Sequence, residues 1–214
     1  MKVVLIRHGL TKGNLERRYI GSTDESLCEE GVNSLQSLVA QHIYPEVKQV
    51  FISPMKRCIE TAGIIYPNQH PIIEEDFREC DFGLFEYKTY EQLKENIEYI
   101  QWLDSEGKGT IPQGEGQEAF KLRCHKGFYN IMENLTVSVD EKDTIGFILH
   151  GGTIMAIMEE YASPPESFYH WQCKNGEGYV CRWDFAKKVL LLEAKISILD
   201  FKQAMNRCVR EKEI

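Results

Sequence analysis

Three short apolar runs, at residues 3–6 (Val-Val-Leu-Ile), 50–52 (Val-Phe-Ile) and 144–149 (Thr-Ile-Gly-Phe-Ile-Leu), lack the alternation of a half-solvated strand, and each breaks off at a polar cluster. Continuously apolar strands are buried on both faces, as in a parallel sheet covered by helices. The segments between them supply those helices. Over residues 29–43, Val32, Leu35, Leu38, Val39 and Ile43 recur at helical spacing, and over 55–66, after Ser53-Pro54, one face carries Ile59, Ala62, Ile65 and Tyr66. Strand, helix and strand repeated in this way predict right-handed β-α-β units. The expected fold class is therefore α/β, a three-layer α/β/α sandwich around a mostly parallel central sheet.

With 214 residues, 43% of them hydrophobic, the chain can bury one substantial core, and a single domain over 1–214 is expected. Residues 82–114 interrupt the rhythm. Tyr87, Tyr90, Leu93, Ile97, Tyr99, Ile100 and Trp102 stand there among charges, ahead of a Gly/Pro loop, and read as a small helical cap insertion. Their aromatic stripe reads as packing first, although a cap above a pocket would serve both purposes. Residues 115–135 return to helical spacing and contain Arg123 and His125. Gly178–Asp184 and residues 189–193 predict a late antiparallel hairpin, and 202–214 form a charged tail.

A net charge of −8 with no Lys/Arg stripe argues against a nucleic-acid or membrane-surface partner, so any anion site must be local. The seven cysteines are odd in number, scattered and without a CxxC pair, which favours a reducing cytoplasm. No run approaches the length needed to span a membrane.

The first strand runs into Arg7-His8-Gly9, placing an imidazole and a guanidinium where a buried strand meets solvent, the usual address of an active site in open α/β sheets. Arg7 can grip a phosphate in its planar fork while like-charge repulsion keeps His8 unprotonated, a combination that describes a phosphate-accepting nucleophile. Each residue taken alone has a plainer reading. A strand-end histidine is commonly a satisfied polar group, Arg57 suits a solvated helix surface, and Glu79 has Glu75, Asp76 and Asp81 as rivals. His42, His70, His125 and His170 fit no motif and read as structural or surface residues. Cys124-His125 is no metal pair, because adjacent helical residues point apart.

The ordered set Arg7-His8-Gly9-x-Thr11 with Asn14, Ser53-Pro54-x-x-Arg57 with Thr61-Ala62, Glu79 ahead of Phe82-Gly83, Gly114-Glu115 and His150-Gly151-Gly152 resembles the histidine phosphatase superfamily (phosphoglycerate mutase-like, branch 1). The resemblance runs from residue 3 to about 193. It implies a phosphohistidine mechanism in which His8 attacks phosphorus, its other ring nitrogen donating to a backbone carbonyl that sets the tautomer. Arg7, Arg57 and His150 would surround the phosphoryl oxygens, Asn14 and the N–H groups of Gly9 and Gly151 would support them, and Glu79 would serve as proton donor and then base. No metal or cofactor is implied, since arginine charge takes a divalent cation's place.

The closest pattern, on chain length and on the RHGxT and PxGE stretches, is the α-ribazole phosphatase-like branch. That implies a phosphatase acting on a small phosphorylated metabolite such as α-ribazole 5′-phosphate, as a monomer or homodimer. A cofactor-dependent phosphoglycerate mutase and a non-catalytic phosphate-binding protein remain the alternatives. Two positions depart from the family pattern: Tyr87 stands where glycine is usual, putting the local turn and the pocket width at issue, and Gly116 stands where serine is common.

Overall fold

The computed structural model describes residues 1–135 and 140–197. In chain order the elements are β1 (Lys2–Arg7), α1 (Lys12–Leu15), α2 (Glu29–Ala40), β2 (Gln49–Ile52), α3 (Lys56–Ile65), β3 (Ile72–Ile73), α4 (Tyr90–Leu93), α5 (Ile97–Asp104), α6 (Gln117–Leu135), β4 (Thr144–Leu149), α7 (Gly151–Tyr161), β5 (Ala162–Ser163), β6 (Gly178–Asp184) and β7 (Val189–Ile196). The strands form one sheet in the order β3-β2-β4-β1-β6-β7-β5. β1, β4, β2 and β3 run parallel, while β6 is antiparallel to both β1 and β7.

Strand parity explains the three layers. Val3 and Leu5 of β1 face a core built with Phe128, Ile131 and Met132 of α6 and Ile154 and Ile157 of α7. Val4 and Ile6 face the opposite core, with Leu35 of α2 and Cys58, Ala62 and Ile65 of α3. Successive side chains of a strand point to opposite faces, so an unbroken apolar run is what a sheet covered on both sides needs. The α/β/α sandwich read from the sequence is the fold observed.

Boundaries differ by a few residues. The helix expected over 29–43 ends at Ala40, because His42 adopts a left-handed conformation (φ 54°) while its N–H donates to the Val39 carbonyl and the Ile43 N–H to that of Leu38. That is a Schellman stop, which hydrophobic spacing alone does not reveal. β7 continues to Ile196, beyond the expected 193, and the two-residue strands β3 and β5 are too short to leave a periodic signal.

Residues 82–114 carry α4 and α5. Phe85, Leu93, Tyr99 and Ile111 pack with Phe120 of α6, Ala156 of α7 and Phe168, so the insertion shares a core with those two helices. The charged stretch 202–214 lies outside the described residues. Cys28, Cys58, Cys80, Cys124, Cys173 and Cys181 are all free thiols. Among the described residues no helix is long and apolar enough to cross a membrane.

Candidate active site

The polar residues that follow β1, β2 and β4 at their carboxyl ends meet in one corner. β1 ends at Arg7 with His8 next, Ser53 follows β2 and leads to Arg57 in the first turn of α3, and His150 links β4 to α7. Parallel neighbours deliver their carboxyl ends to the same edge of the sheet, which is why motifs about 50 and 140 residues apart become neighbours.

His8 is buried, its N–H bonded to the Leu149 carbonyl. Its Nδ1 lies 2.7 Å from the Gly9 carbonyl oxygen, an acceptor only, so Nδ1 carries the proton and Nε2 keeps its lone pair. Burial first, then Arg57 and Arg7, hold its pKa well below the usual imidazole value. The ring is therefore neutral at physiological pH, as a nucleophile must be. The tautomer-setting carbonyl that the sequence leaves unidentified is that of Gly9.

Arg57 is 1% exposed, yet its charge is answered on three sides. Nε donates to His150 Nδ1 (3.2 Å), Nη1 to the Thr23 carbonyl (2.8 Å) and Nη2 to the Gly21 carbonyl (3.0 Å). A buried guanidinium without such acceptors costs several kcal/mol, on the order of what breaks a domain. Glu86 holds the loop that offers those carbonyls, its Oε1 accepting from the N–H groups of Gly21 and Thr23. The surface-charge reading of Arg57 is thus set aside.

His150 is fully buried, with its ring centroid 5.2 Å from that of His8. Its Nδ1 accepts from Arg57, so Nε2 carries the proton and donates to Ser53 Oγ at 2.7 Å. Both nitrogens are engaged by protein. In this arrangement His150 links Ser53 to Arg57 and so helps to orient the guanidinium.

The sequence reading of the Gly9 N–H is corrected. Its N–H, expected at the anion, donates to Thr61 Oγ1 (2.9 Å), because the chain there threads between Leu35 and Leu27 rather than facing the cavity. Gly151 sits beside the Arg7 guanidinium, where a Cβ would lie 3.3 Å from Arg7 Cζ. Asn14 forms a reciprocal cap with Thr11 at the start of α1, its Oδ1 also accepting from Asn175 Nδ2 (3.0 Å). Arg7 donates from Nη1 to the Cys173 carbonyl (2.8 Å), and its buried Nε has no partner among the described residues, which leaves donors for an anion.

The Glu79 carboxyl closes the other side. Oε1 accepts from the Cys80 N–H (2.9 Å) and Oε2 from the Gly152 N–H (3.0 Å). Burial raises its pKa above the ordinary carboxyl value, against the pull of those two N–H groups and of Arg57 and Arg7. A carboxyl so poised can hold a proton and release it.

Several contributors escape the sequence reading. Arg123 of α6 donates to the carbonyls of Asp76 (2.8 Å), Arg78 (2.7 Å) and Glu79 (3.1 Å) and makes a two-pronged pair with Glu115, strapping down the segment that carries Glu79. Asn175 donates to the His8 carbonyl, and Ser53 orients His150. Gly152 has a clearer signal, the second glycine after His150. Tyr87 takes the left-handed conformation (φ 59°) that makes glycine usual there, and its ring, itself not part of the cavity wall, lies 4.8 Å from the Arg18 guanidinium. His125 donates to the Ala156 carbonyl, the structural role expected of it.

Above the corner opens a cavity of about 420 Å³, reached by Arg7, Asn14, Glu79, Gly151 and Gly152, its outer part walled by the cap and the segment after α7. Among the described residues no group of three or more His, Cys, Asp or Glu side chains is arranged to hold a metal ion.

The family model described as histidine phosphatase superfamily (branch 1) matches residues 3–195. A curated protein named probable phosphoglycerate mutase GpmB, of Cronobacter sakazakii, is 30% identical over 129 residues, covering 58% of this chain and 60% of that protein. The solved structure of an alpha-ribazole phosphatase from Shigella flexneri superposes with a TM-score of 0.78 at 24% identity, over 92% of this chain and 96% of that one. That of a phosphoglycerate mutase from Bacillus anthracis str. Sterne superposes at 0.73 with 20% identity, over 94% and 95%. The last two likenesses speak to the fold.

Proposed function

Since the chain belongs to the histidine phosphatase superfamily (branch 1), we propose that it is a metal-independent phosphomonoester hydrolase working through a phosphohistidine on a small phosphorylated metabolite. The observation that carries this reading is His8, whose Nδ1 is tied to the Gly9 carbonyl so that Nε2 keeps its lone pair, with burial and the charges of Arg57 and Arg7 holding the ring neutral. A protein that only binds phosphate has no use for both a desolvated, neutral imidazole and a buried carboxyl of raised pKa.

In the first step the Nε2 lone pair forms the N–P bond as the ester P–O bond breaks, and Glu79 gives its proton to the departing alkoxide. In the second, the Glu79 carboxylate takes a proton from water as the water oxygen attacks phosphorus, the N–P bond breaks, and inorganic phosphate and neutral His8 are restored. Charge on the phosphoryl oxygens is met by Arg7 and Arg57, whose orientation is set before substrate arrives.

For the substrate we place α-ribazole 5′-phosphate first among named compounds, on the likeness to the Shigella flexneri phosphatase. The mutase reading follows the names of the other two relatives, but it requires a cation to hold a sugar-acid carboxylate. Beyond Arg7, the cavity wall offers among the described residues only Arg18, which is paired with Glu16 and donates to the Tyr87 carbonyl. The setting we propose is the cytoplasm, with the chain as a monomer or homodimer. Labelling with a 5′-phosphate ester, quenched in alkaline detergent, tests the reading. Label should appear on His8, be stable in base and labile in acid, and vanish in His8→Ala; label on another residue, or mutase turnover far above hydrolysis, would refute it.

A further inference from the structure

We propose that the outer part of the 420 Å³ cavity is a subsite for an uncharged aromatic or heteroaromatic group on the leaving alcohol, an inference that rests on the hydrolytic reading above. Its wall is built from Tyr19, Phe82, Trp102, Met155, Phe168 and Tyr169, drawn from the loop after α1, the cap, α7 and the segment that follows it. The rings support one another: Tyr19 lies tilted against Phe82 at 5.2 Å and edge to face with Trp102 at 5.7 Å, and Phe168 lies edge to face with Tyr169 at 5.1 Å. A wall of this kind prefers a flat apolar ligand over a hydrated one, because stacking and release of water act together.

Charge selects in the same direction. Once Arg7 and Glu79 are engaged at the phosphate end, the remaining ionic wall residue among the described residues is Arg18, already paired with Glu16 and lying against Tyr87. An anionic leaving group would lose its hydration there with no free cation among the described wall residues in return. Polar capacity is nonetheless left over: the Trp102 Nε1–H and the Gln117 amide oxygen have no partner among the described residues. A ring bearing a nitrogen or an N–H suits that pair better than plain hydrocarbon.

The test uses four primary alkyl phosphates with leaving alcohols of comparable basicity: 2-phenylethyl phosphate, 2-(indol-3-yl)ethyl phosphate, glycerol 3-phosphate and 3-phosphoglycerate. The arylethyl esters should exceed the other two by about tenfold or more in kcat/KM. Tyr169→Ala, at a residue 48% exposed and so safe for folding, should shrink that preference several-fold; Trp102→Ala should do the same. Calorimetric binding of the indolylethyl and glycerol esters to His8→Ala needs no chemistry and separates the two claims. Preferential binding of the aryl ester without hydrolysis by the parent chain sinks the hydrolytic reading and leaves the subsite standing. Hydrolysis with no aryl preference, equal binding of the two esters, or an unchanged preference in Tyr169→Ala sinks the subsite.

Discussion

Replacing Gly152 by alanine should uncouple the proton donor from the rest of the machinery. An ideal Cβ at this position falls 2.4 Å from Glu79 Oε1, 3.2 Å from Glu79 Cδ and 3.1 Å from Phe120 Cζ, while ordinary contact begins at 3.4 Å, so the carboxyl must retreat by about 1 Å. It cannot do so freely. Oε1 is held by the Cys80 N–H and Oε2 by the Gly152 N–H, and Phe120 takes up space beside the new methyl group. A misplacement of about 1 Å in a reacting group costs on the order of a hundredfold in rate. The helix itself is not harmed, since alanine is favoured over glycine by up to about 1 kcal/mol at helical positions. Rapid-quench measurement of phosphoenzyme formation is the assay. With an alkyl phosphate, whose alkoxide must be protonated as it leaves, the step should slow about a hundredfold; with p-nitrophenyl phosphate, whose phenolate leaves unaided, it should slow far less. Equal slowing for the two esters, or an unchanged alkyl rate in a folded variant, would refute the assignment of Glu79 as the proton donor beside Gly152.

Other outcomes follow from the same geometry. Because burial raises the Glu79 pKa while burial and the arginines depress that of His8, kcat/KM for alkyl esters should decline as pH rises through the carboxyl's raised pKa and should not decline on acidification through about 6.5. A pH–rate profile checks both limbs, and the alkaline limb should be absent when Glu79→Gln is assayed with p-nitrophenyl phosphate. Arg123→Met strips a donor from the carbonyls of Asp76, Arg78 and Glu79, so it should lower alkyl-ester turnover by about tenfold while vanadate affinity, set by the phosphate corner, stays near that of the parent. Arg57→Lys cannot answer His150 Nδ1 and the Thr23 and Gly21 carbonyls together; urea unfolding should show a loss of about 2–3 kcal/mol, accompanied by weaker vanadate binding.

What can be read along the chain is periodicity and local motif. The expected β4 matches residue for residue, and α2 and α3 agree to within a few residues, because burial on one or both faces leaves its period in the sequence. Arg7, His8, Arg57, Glu79 and His150 stand out by motif, and they do share one corner. Their partners are not legible. Arg123 looks like one more charge on an amphipathic helix, Asn175 like a loop residue and Ser53 like a turn former; each takes part only by lying near a group far off in the chain, Arg123 being 44 residues from the Glu79 carbonyl it holds.

By itself, the sequence determined the layered α/β architecture, the family's motif residues and the chemistry those residue types permit, since these depend on side-chain identity and on spacing within single elements. Tertiary structure alone decided which nitrogen of each histidine carries its proton, that the Gly9 N–H is given to Thr61, that His150 orients Arg57, and that aromatic rings from separate segments wall the cavity. The reason is physical: a hydrogen bond or a desolvated charge is set by what stands within about 3 Å in space, and chain order does not specify that until the strands have aligned their ends.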